Sequence, residues 1–114
     1  SIVNTASIAG IKVFELTTPT YSAAKAAVNH MTRFAAVQYA DKGIRINAVA
    51  PGIIETPSLA QTPKEITDAA LALLPAGKFQ QAEEVANAIV WLSSDEASAI
   101  NGVTLPVDGG YSAK

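Results

Sequence analysis

The chain has 114 residues, 49% hydrophobic and 16% charged, with a formal net charge of −2. That is the balance of a globular domain, with no basic surplus to attract nucleic acid or an anionic membrane. The lack of cysteine excludes disulfides, thiolate catalysis and cysteine metal sites, and a single histidine, His30, cannot build a metal cluster.

No apolar run approaches the roughly 18 residues of a membrane span, and no signal peptide opens the sequence, so a soluble, cytoplasmic protein is expected. The chain begins at Ser1 directly inside a strand-like run, whereas domains usually open on residues that tolerate fraying. The expectation is the later part of something longer.

In chain order, "SIVNTAS" (Ser1–Ser7) is short and β-branched and reads as a strand. Residues 10–20 carry Gly, Pro and Thr and read as a loop. Ala and Met dominate from about Ser22 to Tyr39 without Gly or Pro, which predicts a helix ending before Gly43. "GIRINAVAPG" (Gly43–Gly52) predicts a second strand, stopped by Pro51-Gly52. Residues 53–80 predict a long excursion with a helical patch near Pro63–Leu74. "QAEEVANAIVWLSSDEA" predicts another helix with Glu83 and Glu84 in its first turn, and "GVTLPVDGG" (Gly102–Gly110) a last strand.

This strand–helix alternation is the rhythm of a parallel α/β sheet, with strands apolar on both faces and helices covering both. Ligands in such sheets lie beyond the carboxyl ends of the strands, so Ser7, Gly52 and the excursion should share one crevice. A connector as long as 53–80 is often a functional lid. On the Ser22–Tyr39 helix, Ala23, Ala27, Met31, Phe34 and Val37 spread apolar surface beyond one stripe, which predicts a homo-oligomer, dimer or tetramer.

Tyr21 and Lys25 are four residues apart and therefore neighbours on a helix. A phenol is a poor acid at neutral pH, but a nearby ammonium favours the phenolate and makes it usable in proton transfer. A hydroxyl from Ser7 could bond the same substrate oxygen. That set suits interconversion of a carbonyl and an alcohol. Alone, the pair reads first as a helix-start aromatic and a solvated charge, and Ser7 most simply as a strand-end or turn hydroxyl.

The ordered set "NTASIAG", "YSAAK", "IRINAVAPGIIETP", "AEEVANAIVWLSSDEAS" and "GVTLPVDGG" resembles the later half of the classical short-chain dehydrogenases/reductases, across essentially the whole chain. The resemblance implies a partial Rossmann-like doubly wound parallel sheet, its last three strands and their helices, forming the C-terminal part of a single domain with a variable substrate lid at about 53–80. It implies that Ser7 is the catalytic serine, Tyr21 the acid/base, and Lys25 its tuner and a ligand of the nicotinamide ribose. It places Pro51, Gly52, Ile54 and Thr56 beside the cofactor, NAD or NADP, and a small alcohol or ketone, including a 3-oxoacyl group, as substrate. Asn4 and Asp108 read as structural.

The family's Gly-rich loop, TGxxxGxG, has no counterpart in this sequence, so no helix N-terminus is provided for a pyrophosphate. The isolated chain is expected to be inactive and to expose a bare edge on its first strand. The alternative is a non-catalytic oligomerising fragment.

Overall fold

The computed structural model describes residues 1–114. Strands β1 (Ile2–Thr5), β2 (Ile46–Pro51) and β3 (Thr104–Val107) pair in parallel in the order β1-β2-β3. Helix α1 (Pro19–Gln38) joins β1 to β2. A long excursion containing α2 (Lys64–Leu73), followed by α3 (Ala82–Ser93), joins β2 to β3.

Two helix ends differ from the sequence expectation for local reasons. α1 begins three residues before Ser22 because the Thr18 hydroxyl accepts the Tyr21 N–H at 3.2 Å and Pro19 occupies the first turn. A Thr cap followed by Pro is a sound helix start, since proline gives up an N–H that would have no partner there. At the other end, the helix expected to run to Ala97 stops at Ser93 and tightens into a 3₁₀ turn, Asp95–Ala97. The Arg45 guanidinium caps that end, donating to the carbonyls of Leu92, Ser94 and Ile100.

Strand parity assigns the helices to opposite faces of the sheet. Asn4, Ala48 and Thr104 share one row, and their face meets α1: Asn4 donates to Thr32 Oγ1 at 3.0 Å, and Thr104 donates to Asn29 Oδ1 at 3.4 Å. Val3, Val49, Leu105 and Val107 point the other way and pack with Val85 and Leu92 of α3. The strands step in one direction while the helices change sides, so the two crossovers have opposite hands. One of them therefore departs from the usual right-handed rule. The expectation of strands apolar on both faces holds only in part: Asn4 and the fully buried Asn47 interrupt them.

The packing is thin. Only 20 of 114 residues are buried, and the radius of gyration is 15.0 Å, against about 13 Å for a compact domain of this length. β1 pairs only with β2, leaving the bare edge anticipated for it. On the outer side of α1, Met31, Phe34 and Val37 are exposed at 64%, 68% and 82%. No helix is long and apolar enough to cross a membrane, and no group of three His, Cys, Asp or Glu could hold a metal ion.

Candidate active site

β1 ends at Thr5, and the chain turns at Ser7 into a 3₁₀ turn, Ile8–Gly10. Ser7 is buried in an extended conformation, and its Oγ accepts the Ala9 N–H at 3.2 Å. That bond uses only a lone pair, so the hydroxyl proton remains available to donate elsewhere.

Gly10 explains how close this turn lies to α1. A Cβ at that position would stand 2.5 Å from the carbonyl carbon of Lys25 and 2.7 Å from the nitrogen of Ala26, so only glycine fits without displacing backbone. Asn29, one turn beyond Lys25, donates to the Gly10 carbonyl at 3.0 Å and locks the contact. Turn and helix are thus fixed backbone to backbone. Lys25 in turn donates to the Thr5 carbonyl at 3.0 Å, and its Nζ lies 5.6 Å from the centre of the Tyr21 ring. An ammonium has three N–H donors, so two remain for a ligand.

The second wall comes from β2. Gly52 donates to the Val107 carbonyl at 3.0 Å, and a Cβ there would meet Gln80 Oε1 at 2.7 Å and the Asp108 Cα at 2.9 Å. Beyond it the chain stays extended: Gln80 N–H donates to Ile53 O, Glu55 N–H donates to Gln80 O, and Ile54 bridges Gln80 in parallel. The end of the excursion is thereby stitched beside the Pro51-Gly52 turn. Asp108 is engaged structurally, accepting the N–H groups of Gly110 and Ser112.

These pieces enclose a cleft of about 420 Å³, lined by Ser7, Tyr21, Lys25, Pro51, Gly52 and Ile54 among others. Six of the seven residues singled out in the sequence therefore converge at the carboxyl ends of β1 and β2. Thr56 does not line this cleft; it is exposed, and its hydroxyl accepts the Leu59 N–H at 3.2 Å. A larger open groove of about 720 Å³ runs along Val13, Pro19 and Ala23, but Ser7, Tyr21 and Lys25 do not line it.

Sequence reasoning missed the supporting residues. Gly10 and Asn29 hold the serine turn to the helix. Gln80 is buried between Gly52 and Gly109 with its Oε1 unpartnered. Tyr111 packs with Ile8 and Leu74, and edge-on against Phe14, joining the end of the chain to the serine turn and to the excursion. The Thr18-Pro19 cap was the one signal in the sequence that would have fixed where α1 begins.

The architecture and this cleft define part of a Rossmann-like α/β domain. The chain belongs to the short-chain dehydrogenase/reductase family: the family described as "Enoyl-(Acyl carrier protein) reductase" matches residues 1–112. It is 50% identical over 113 residues to cis-4-hydroxycyclohexanecarboxylate dehydrogenase of Sinomonas cyclohexanicum, covering 99% of this chain and 45% of that protein. It is 44% identical over 110 residues to the 3-oxoacyl-[acyl-carrier-protein] reductase FabG of Thermotoga maritima, covering 96% and 44%. The solved structure of ElxO with NADP bound superposes with a TM-score of 0.90 at 39% identity, covering 99% of this chain and 46% of that one. The chain thus spans less than half the length of these relatives, which are named as oxidoreductases where a name states an activity.

Proposed function

We propose that residues 1–114 carry the acid–base half, and the nicotinamide side, of an NAD(P)-dependent oxidoreductase that interconverts a ketone and a secondary alcohol as part of a longer chain. The observation that carries this reading is the meeting of Ser7, Tyr21 and Lys25 with Pro51, Gly52 and Ile54 around one cleft.

The residues suit a nicotinamide. Pro51, Ile53 and Ile54 offer an apolar wall for the ring, and the two free donors of Lys25 suit ribose hydroxyls. The dinucleotide, when bound, supplies a hydride to the carbonyl carbon or takes one from the alcohol carbon. In reduction, the Ser7 hydroxyl donates to the carbonyl oxygen and holds it beside Tyr21. Tyr21 Oη gives its proton to that oxygen as negative charge develops on it. Lys25 stabilises the phenolate left behind. In oxidation the same proton returns to Tyr21. The balance is ketone, NAD(P)H and a proton to alcohol and NAD(P)+. NADP is the first dinucleotide to test, because the similar ElxO binds it.

In this reading the Ile54 backbone meets the carboxamide, and Thr56, which keeps a hydroxyl proton while accepting the Leu59 N–H, reaches the cofactor from outside the lining of the cleft. Residues 53–80 form the substrate lid, and the relatives supply two candidates, a ring alcohol and a 3-oxoacyl group. The exposed Met31, Phe34 and Val37 stripe is the surface for a homo-oligomer, dimer or tetramer, in the cytoplasm.

The test is Tyr21→Phe in the complete enzyme. Turnover should fall by about 10²–10⁴-fold with circular dichroism unchanged. A folded variant with nearly wild-type turnover would remove Tyr21 from this role. A second reading, a non-catalytic oligomerising fragment, draws on that exposed stripe. Intact mass followed by dinucleotide titration separates the two: a purified natural product of 114 residues that assembles but binds neither NAD nor NADP supports the second.

A further inference from the structure

We infer that the substrate is compact, uncharged and apolar, a ketone or secondary alcohol on a ring of about six carbons or a short branched chain, with its hydrocarbon part in a second chamber adjoining the cleft. This rests on the oxidoreductase reading above and narrows it.

The chamber holds about 220 Å³ and is walled by Phe14, Leu16, Ile53, Leu59, Ile66 and Ala70. Phe14, Leu16 and Ile53 also line the cleft containing Ser7 and Tyr21, so a carbonyl beside those hydroxyls would have its carbon skeleton next to the chamber. The chamber is about half the size of the cleft it adjoins, which suits a compact ring or branched group better than a long straight chain.

The lining also disfavours charge. No ionisable side chain lines the chamber. Its two polar residues are turned to their own backbone: Thr67 Oγ1 donates to Lys64 O at 2.9 Å and Thr62 Oγ1 to Ser58 O at 3.5 Å. Cations line only the neighbouring cavities: Lys25 the cleft, where it donates to Thr5 O, and Lys64 a separate cavity that shares Leu59, Thr62 and Thr67 with this one, where it pairs with Asp68. A carboxylate placed there would meet apolar walls and no counter-ion among the lining residues. Leu16 and Ile66, meanwhile, are about half exposed, apolar surface that a hydrocarbon ligand would cover.

The complete enzyme is assayed with cyclohexanol, 4-hydroxycyclohexanecarboxylate, 2-decanol and a polyhydroxylated sugar alcohol. In each the alcohol carbon loses a hydride to NAD(P)+ and the hydroxyl proton leaves through Tyr21. Cyclohexanol should lead in kcat/KM by at least about tenfold, a difference of about 1.4 kcal/mol. Cyclohexanone should raise Tm without turnover, and the carboxylated ketone should not.

Ile66→Arg, on a half-exposed helix position, should raise the carboxylate-to-neutral ratio of kcat/KM at least about tenfold. An unchanged ratio in a folded variant overturns the chamber assignment. Preferred oxidation of 2-decanol, the carboxylate or the sugar alcohol overturns the inference and leaves the oxidoreductase reading standing. Failure to oxidise any of the four, together with no dinucleotide binding, overturns both.

Discussion

The serine turn with α1 and the excursion over 53–80 border the same cleft, yet they are held by different physics. The turn is fixed by contacts that leave no freedom: the Gly10 backbone against Lys25 and Ala26, the Asn29 bond to Gly10 O, and the Lys25 bond to Thr5 O. The excursion rests on a small apolar cluster, in which Leu74 meets Ile8 and Tyr111, and on a short run of strand-like bonds at Gln80. Directional backbone contacts fix atoms to fractions of an ångström. Apolar packing tolerates exchange of shape at similar volume. Proton transfer needs the first kind of support, and a pocket that selects among hydrocarbon shapes can use the second.

That contrast is most severely tested at Gly10. In the complete enzyme, Gly10→Val should separate the serine turn from α1 and lower kcat by about 10²-fold, the scale expected for a misplacement near 1 Å. Overpacking should cost about 1–3 kcal/mol of stability as well. Unchanged kcat in this variant, measured alongside chemical unfolding, would show that the close approach has no part in positioning Ser7.

Tyr111→Ala removes the aromatic that ties the excursion to the turn. The expected signature is a KM raised about tenfold, equivalent to about 1.4 kcal/mol, with kcat changed far less. A loss confined to kcat would instead place Tyr111 with the catalytic frame and erase the distinction between the two regions.

The smallest effect belongs to Thr18→Ala. Losing the hydroxyl that accepts Tyr21 N–H should cost about 1 kcal/mol of stability and leave the rate within a few-fold. Thr18→Ser, which keeps the acceptor, should restore the stability, and thermal melts of the three proteins read the series directly.

Much of this was legible in the sequence because the signals are local. Short β-branched runs stopped by Gly or Pro marked the strands, and spacing of four put Lys25 beside Tyr21. The rule that ligands lie beyond the carboxyl ends of strands brought Ser7 and Gly52 to one cleft. Asn4 and Asp108 read as structural hydrogen bonders, and their bonds to Thr32, Gly110 and Ser112 are of that kind. Less legible was Gly10, which resembles any loop glycine until the backbone it touches is known. Gln80 and Tyr111 gave no periodic or motif signal, since each acts between segments distant in the chain.

What the sequence by itself determined, then, is the order of elements, the two-sided apolar character of α1 and the identity of the groups with chemistry to offer. Tertiary structure decided that α3 crosses to the face opposite α1, that Thr56 lies outside the cleft, and that an uncharged apolar chamber adjoins it. The physical reason is range. Periodicity and capping act within a few residues, whereas the side a crossover takes and the shape of a cavity depend on contacts between residues tens of positions apart.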